Sequence, residues 1–156
     1  MLLMKYWDTM ESRVGTLTII CDEEAITGLE FLVKEPLEGI KKRTPLLERA
    51  ALQLEEYMDG KRKSFDLPLK PEGTEFQKKV WNALLDIPYG ETRSYKDIAV
   101  AIGNPKACRA VGMANNRNPI SIIIPCHRVI GANGSLVGYG GGLPIKIELL
   151  NLETGK

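Results

Sequence analysis

Cys126 is followed directly by His127, the one histidine among the 156 residues of the chain. A thiol attacks as thiolate, and a free cysteine with a pKa near about 8.5 is only a few per cent ionised at neutral pH unless a base or a positive field assists. An imidazole next in sequence can supply that base, directly or through a water molecule. The pair ends an apolar run, Ile122-Ile123-Ile124, read as a β-strand, and follows Pro125. In an extended chain neighbouring side chains point to opposite faces, so His127 reaches Cys126 only if the strand ends there or a water bridges the two. A third group must orient the imidazole. Glu148 and Glu153, on a C-terminal helix starting near Pro144, are the candidates. The ordinary alternative is a small buried cysteine beside a satisfied core histidine. Cys21 and Cys108, each inside a regular element with no histidine adjacent, are read as packing residues. Cys126 differs in its setting: Asn118-Pro119 before the run, Arg128 after it, and Gly138-Tyr139-Gly140-Gly141-Gly142 downstream. Such glycines let a backbone approach a flat ligand closely, and they also suit a mobile loop.

Residues 71–156 must position this pair, and they read mainly as helices. Thr74-Glu75-Phe76-Gln77 is a capping box opening a helix whose apolar face holds Phe76, Val80, Trp81, Leu84 and Leu85, and Pro88-Tyr89-Gly90 ends it. Ser94-Tyr95-Lys96-Asp97 has the same pattern before a short helix over 98–102. Gly103-Asn104-Pro105 makes a tight turn, and a second helix runs over 106–115. Two short helices joined this way form a helix-turn-helix or a plain helical hairpin. Residues 1–70 read as a small α+β lobe. It has strands over 16–21 and 26–33 around an acidic Asp22-Glu23-Glu24 turn. A helix over 45–58 follows, with Thr44 as N-cap, Pro45 at its first position and Gly60 just past its end. Residues 67–73, with two prolines and a glycine, are read as the linker between lobes 1–70 and 71–156.

A composition of 44% hydrophobic and 26% charged residues is that of an ordinary folded protein and argues against disorder. No apolar run approaches the roughly 20 residues that span a bilayer, so no membrane role is expected. Met1-Leu2-Leu3-Met4 soon meets Lys5 and Asp8 instead of a signal-peptide core. With that start, three cysteines, an odd number, point to reduced thiols and an intracellular, cytoplasmic protein. A metal site is not expected, because the chain has no CxxC and a single histidine. The net charge of +1 hides an asymmetry: residues 1–70 carry 11 basic and 13 acidic side chains, residues 71–156 carry 10 and 7. Between Arg93 and Arg128 six basic residues face one acid, Asp97, which suits a polyanion as well as it suits a solvated basic face.

The motifs Asn118-Pro119 and Ile124-Pro125-Cys126-His127-Arg128-Val129-Ile130 occur with Ser94-Tyr95, Arg109-Ala110-Val111-Gly112 and Gly138-Tyr139-Gly140-Gly141-Gly142-Leu143. Together they resemble the O6-alkylguanine-DNA alkyltransferase family, the methylated-DNA–protein-cysteine methyltransferases of direct repair. The likeness is dense over residues 73–153 and rests on architecture over 1–70. It implies an α+β fold: a small N-terminal RNase H-like α/β lobe and a helical C-terminal lobe with a winged helix-turn-helix.

The resemblance also implies roles. Cys126 would accept the alkyl group from O6 of guanine, and less readily from O4 of thymine, in single-turnover suicide repair. His127 would activate it through a water, Glu153 would hold His127, and Asn118 would brace the turn behind them. Tyr95 would help expel the damaged nucleotide and give the leaving base a proton or hydrogen bond. Arg109 would enter the duplex from the minor groove and fill the space of the flipped base. Carbonyls of Cys126 and Val129, with amides near Tyr139 and Gly140, would read the guanine edge. Lys96, Asn104 and Ala132 fall where the family touches DNA backbone. The partner is then double-stranded DNA with alkylated bases, bound by a monomer with no cofactor. Structural zinc, which some members carry in the N-terminal lobe, is not expected, since that lobe has Cys21 and no histidine. Ser121 and Gly140 depart from residues that other members carry, which bears on pocket shape. Alkyltransferase-like damage sensors replace the acceptor cysteine, so Cys126 argues against that class. A helix-turn-helix regulator leaves the Cys126-His127 pair unexplained, and nothing marks the oxyanion hole of a cysteine hydrolase.

Overall fold

The computed structural model describes residues 3–31, 38–136 and 138–155. The chain divides into two compact units, Met1–Pro71 and Glu72–Lys156.

In the first unit a four-stranded sheet has the order β3-β2-β1-β4. β1 (Tyr6–Ser12) and β2 (Gly15–Cys21) form an antiparallel hairpin closed at Ser12 and Gly15, and Gly15 takes φ 101°, which a side chain would resist. β3 (Ile26–Glu30) is antiparallel to β2, and β4 (Ile40–Lys41) runs parallel to β1. The acidic turn between β2 and β3 is fastened by Asp22, whose carboxylate accepts the amides of Glu24 and Ala25. Helix α1 (Pro45–Met58) begins where its cap places it, with the Thr44 hydroxyl accepting the Leu47 amide. Its face Leu47, Ala50, Leu54 and Tyr57 is buried, as are Leu17, Ile19, Ile26 and Leu29 of the sheet.

Three expectations change in this unit. β1 and β4 carry no alternating pattern in Tyr-Trp-Asp-Thr-Met-Glu-Ser or in two exposed residues, and they form through pairing with their neighbours. β3 stops at Glu30, and Leu32 and Val33 of the expected strand lie outside the described residues. Residues 67–70 are an edge of the first unit more than a linker, because Ile26 donates to the Pro68 carbonyl and Lys70 to that of Ile26.

In the second unit α2 (Glu75–Leu84) opens on a complete Thr74/Gln77 capping box and buries Val80, Trp81 and Leu84. Leu85, expected on that face, is 45% exposed at the helix end. The Trp81 indole donates to the Ala114 carbonyl at 2.8 Å and so ties α2 to α4 (Cys108–Asn116). Helix α3 (Tyr95–Ala101) starts three residues earlier than the pattern indicates, since the Ser94/Asp97 capping box places Tyr95 in its first turn. Gly103 at φ 80° turns the chain between α3 and α4. β5 (Arg93–Ser94) pairs in parallel with β6 (Val129–Ile130), and α5 (Leu143–Thr154) closes the unit.

The apolar run before Cys126 is not a strand. Ile123 donates to the Ser121 carbonyl and Ile124 to that of Ile120, so residues 120–124 wind through tight turns, and Cys126–Arg128 form a 3₁₀ turn. Asn118 closes these turns with both ends of its amide: Nδ2 donates to the Ile124 carbonyl at 2.7 Å and Oδ1 accepts the Ile120 amide at 3.0 Å. Pro119 and Pro125 lack the N–H groups a ladder would need. Ile122 sits at φ 71°, a conformation costing a branched residue about 1–3 kcal/mol and tolerated where the surroundings over-determine it.

Candidate active site

All the residues of the site belong to Glu72–Lys156. Cys126 opens the 3₁₀ turn and is 4% exposed. Its amide donates to the Ile124 carbonyl, and its own carbonyl accepts the Val129 amide and, at 3.3 Å, Nδ2 of buried Asn115. On such a turn successive side chains diverge by about 120° instead of the 180° of a strand, which removes the opposite-face obstacle between Cys126 and His127.

Helix α5 forms the back of the site. Lys146, Leu149 and Glu153 recur on one helical face and all three are buried. Glu153 Oε2 lies 2.7 Å from His127 Nε2. Arg128 grips the same carboxylate twice, Nε to Oε1 at 2.8 Å and Nη2 to Oε2 at 3.0 Å, and the Gly90 amide donates to Oε1 at 3.2 Å. The third edge of Arg128 is satisfied by the Ile87 carbonyl at 2.8 Å. Glu148, half-buried, is not the carboxylate that meets His127.

The electrostatics follow from this packing. Burial lowers the pKa of His127, while Glu153 pulls it the other way, and the net result is a neutral ring. A neutral imidazole donates its Nε2 hydrogen to the Glu153 carboxylate, which leaves the lone pair on Nδ1. Nδ1 is buried and has no hydrogen-bond partner among the described residues. Burial pushes the Cys126 thiol up to about 11, against the opposing pull of the Asn118 side chain, the Lys146 charge and Tyr139. Tyr95, half-buried at the start of α3, is held protonated by burial and by the field of Cys126. Its ring leaves a methyl group's space above Gly112 of α4, where a Cβ would stand 3.8 Å away.

The other expected site residues divide into two groups. Val129 is buried and its carbonyl is 2.7 Å from Lys146 Nζ, Tyr139 is half-buried, and Gly140 is exposed in the glycine loop. Lys96 on α3, Asn104 in the interhelical turn, Arg109 on α4 and Ala132 after β6 all face solvent. They make no hydrogen bond or ion pair with the Cys126 cluster among the described residues. Cys108, read as a packing residue, is only half-buried at the first position of α4. Sequence reasoning gave no site role to Asn115, Arg128 or Lys146. The available signals were a charge within a continuously apolar stretch for Arg128, and for Lys146 a cation in register with Leu149 and Glu153.

The comparisons with known proteins cover almost the whole chain. Residues 75–155 match the profile of the 6-O-methylguanine DNA methyltransferase DNA binding domain, and residues 5–71 match that of its ribonuclease-like domain. The chain is 55% identical over 153 residues to the methylated-DNA–protein-cysteine methyltransferase of Methanosarcina barkeri, covering 95% of this chain and 96% of the relative. Identity to the constitutive Bacillus subtilis protein of that name is 52% over 159 residues, with 96% of each covered. A crystal structure of Mycobacterium tuberculosis O6-methylguanine methyltransferase superposes with a TM-score of 0.89 at 46% identity, covering 97% of this chain and 94% of that one. The Mycobacterium tuberculosis OGT solved in complex with DNA gives 0.89 at 47% identity, covering 96% and 93%. The chain belongs to the 6-O-methylguanine DNA methyltransferase family.

Proposed function

We propose that the protein repairs alkylated duplex DNA directly, moving the alkyl group from O6 of guanine, and less readily from O4 of thymine, onto Cys126 Sγ. The observation that carries this reading is the buried set of contacts in which Arg128 holds Glu153, Glu153 holds His127 Nε2, and Nδ1 has no hydrogen-bond partner among the described residues. His127 takes the thiol proton through a water, and Glu153 stabilises the resulting imidazolium. The thiolate attacks the alkyl carbon, so the S–C bond forms as the C–O6 bond breaks and the electron pair leaves on guanine. Tyr95 gives the departing base a proton and recovers one from His127 by way of solvent. The net exchange is a thiol hydrogen for an alkyl group, and the thioether ends the protein's activity after one turnover.

A thiol this buried meets only a base taken out of the stack, and extrusion costs a few kcal/mol, less for a damaged base. Arg109, exposed on α4, is suited to fill the gap from the minor groove. Carbonyls of Cys126 and Val129, with amides near Tyr139 and Gly140, read the guanine edge, while Asn118 braces the turns behind them. Lys96, Asn104 and Ala132 lie on exposed elements that fit contact with DNA backbone. The protein acts as a monomer, needs no cofactor and works in the cytoplasm, a compartment compatible with its three free cysteines.

The test is incubation with a duplex carrying one O6-methylguanine, followed by intact mass and peptide mapping. One methylene unit gained on Cys126, saturating at one equivalent and absent in Cys126→Ala, is expected. No adduct, or an adduct shared equally with Cys108, overturns the reading.

A further inference from the structure

Lys146 is the one lysine that is fully buried among the described residues. An ammonium withdrawn from water is costly unless hydrogen bonds replace its hydration. Here Nζ donates to the Val129 carbonyl at 2.7 Å and to the Gly138 carbonyl at 3.3 Å. Val129 follows Cys126 by three residues, and Gly138 opens the loop that carries Tyr139. Gly138, at φ 58°, is packed so that a Cβ would stand 3.3 Å from the Asn116 amide at the end of α4. The lysine therefore fastens two segments that converge on the thiol.

The groups that act on the Cys126 sulfur are Asn118, Lys146, Tyr139 and Tyr95, with His127 next in the chain. Asn118 is uncharged, burial keeps Tyr95 protonated, and His127 is neutral and held by Glu153. Arg128, the other buried cation of the unit, is committed to the Glu153 carboxylate. The acceptors of Lys146 at Val129 and Gly138 are uncharged carbonyls, so its field is not cancelled by them.

We propose that Lys146 is a positioning residue whose ammonium, held on the Val129 and Gly138 carbonyls, supplies the buried positive charge that stabilises the Cys126 thiolate. The influence is reciprocal: burial lowers the Lys146 pKa and the field of Cys126 raises it. This role rests on the reading of Cys126 as the nucleophile, but it is measurable without DNA.

The experiment follows carboxamidomethylation of Cys126 by iodoacetamide, with peptide mapping, from about pH 6 to 11 in the full chain and in Lys146→Met and Lys146→Arg. Lys146→Met is expected to displace the rising limb of the pH–rate profile up by about one unit, which slows the reaction about tenfold at pH 8. Lys146→Arg keeps the charge and is expected to stay near the wild-type rising limb. A folded Lys146→Met protein with an unchanged rising limb overturns the proposal, even if its repair of DNA is slower. If neither variant folds, the wild-type protein decides the matter by ¹³C NMR of the lysine Cε before and after Cys126 is alkylated. Alkylation removes the thiolate, so Lys146 should then titrate at lower pH, and an unchanged titration overturns the proposal. A wild-type protein that reacts with iodoacetamide at Cys126 but takes no methyl group from DNA would sink the repair reading and leave this one standing.

Discussion

In Met1–Pro71 every ion pair among the described residues keeps at least one partner in contact with water: Arg43 with Asp8 and Glu48, Arg49 with Asp66, Arg62 with Glu56, and Lys70 with Glu24 and the buried Asp22. In Glu72–Lys156 a glutamate, a histidine, an arginine and a lysine are all sealed from water around Cys126. Asp22 fastens the β2–β3 turn through backbone amides, and the pairs whose two partners both stay in water contribute little. Sealing a charge costs several kcal/mol per ion, and ion pairing returns this only where geometry is good. The carboxylate of Glu153 meets that condition with four donors from three residues. The second unit carries this cost next to the thiol proposed to become an anion.

The contrast is broken most severely by Glu153→Ala, which leaves Arg128 buried without its carboxylate and His127 without its orienting acceptor. A loss of about 3–5 kcal/mol is expected in urea unfolding, together with near loss of alkyl transfer. A change below about 1 kcal/mol would show that the sealed cluster behaves like a surface pair.

Acid separates the units in a second way. The folded pKa of His127 is lowered by burial, so the unfolded chain takes up its proton first, and stability falls as pH drops below the unfolded value of about 6.5. At Asp8 and Asp22 burial is outweighed by Arg43 and by Lys70 respectively, with backbone amides adding to each, so both folded pKa values are lowered. Their contribution is present above about pH 3.9 and is lost only as pH falls through those lower values. Hydrogen-exchange protection in α5 should therefore weaken at higher pH than protection in β2, and simultaneous loss would contradict the comparison. The smallest effect belongs to Glu56→Gln, which removes the partially exposed pair with Arg62 and should change unfolding stability by less than about 1 kcal/mol.

The parts of the fold that sequence reading reached were those with local chemistry. Thr44, Pro45 and Gly60 mark α1 to the residue, and the Thr74/Gln77 box marks the start of α2, because a cap is satisfied within a few residues of itself. β1 was missed because Trp7, Thr9 and Met10 form no alternating pattern and its order comes from β2 and β4. The run 120–124 was misread because buried turns and buried strands share an apolar composition, and only the Asn118 bridges distinguish them. At Cys126 and His127 the residue types alone carry the proposal of a thiol served by an imidazole.

The sequence by itself therefore determined the helix caps and, through its ordered motifs, the family, and it singled out Cys126 and His127 as the proposed nucleophile and base. Only the tertiary structure decided that Cys126 and His127 share a 3₁₀ turn, that Arg128 grips Glu153 and that Lys146 is buried on the Val129 and Gly138 carbonyls. It also placed Glu153 on His127 by direct contact, where local reading had left Glu148 as an equal candidate and the family resemblance had favoured Glu153. Five residues apart, the two carboxylates point about 140° from each other on a helix, and which one is buried depends on the face that α5 turns inward. That face is chosen by long-range packing, because no local interaction of α5 depends on where the Cys126 turn lies.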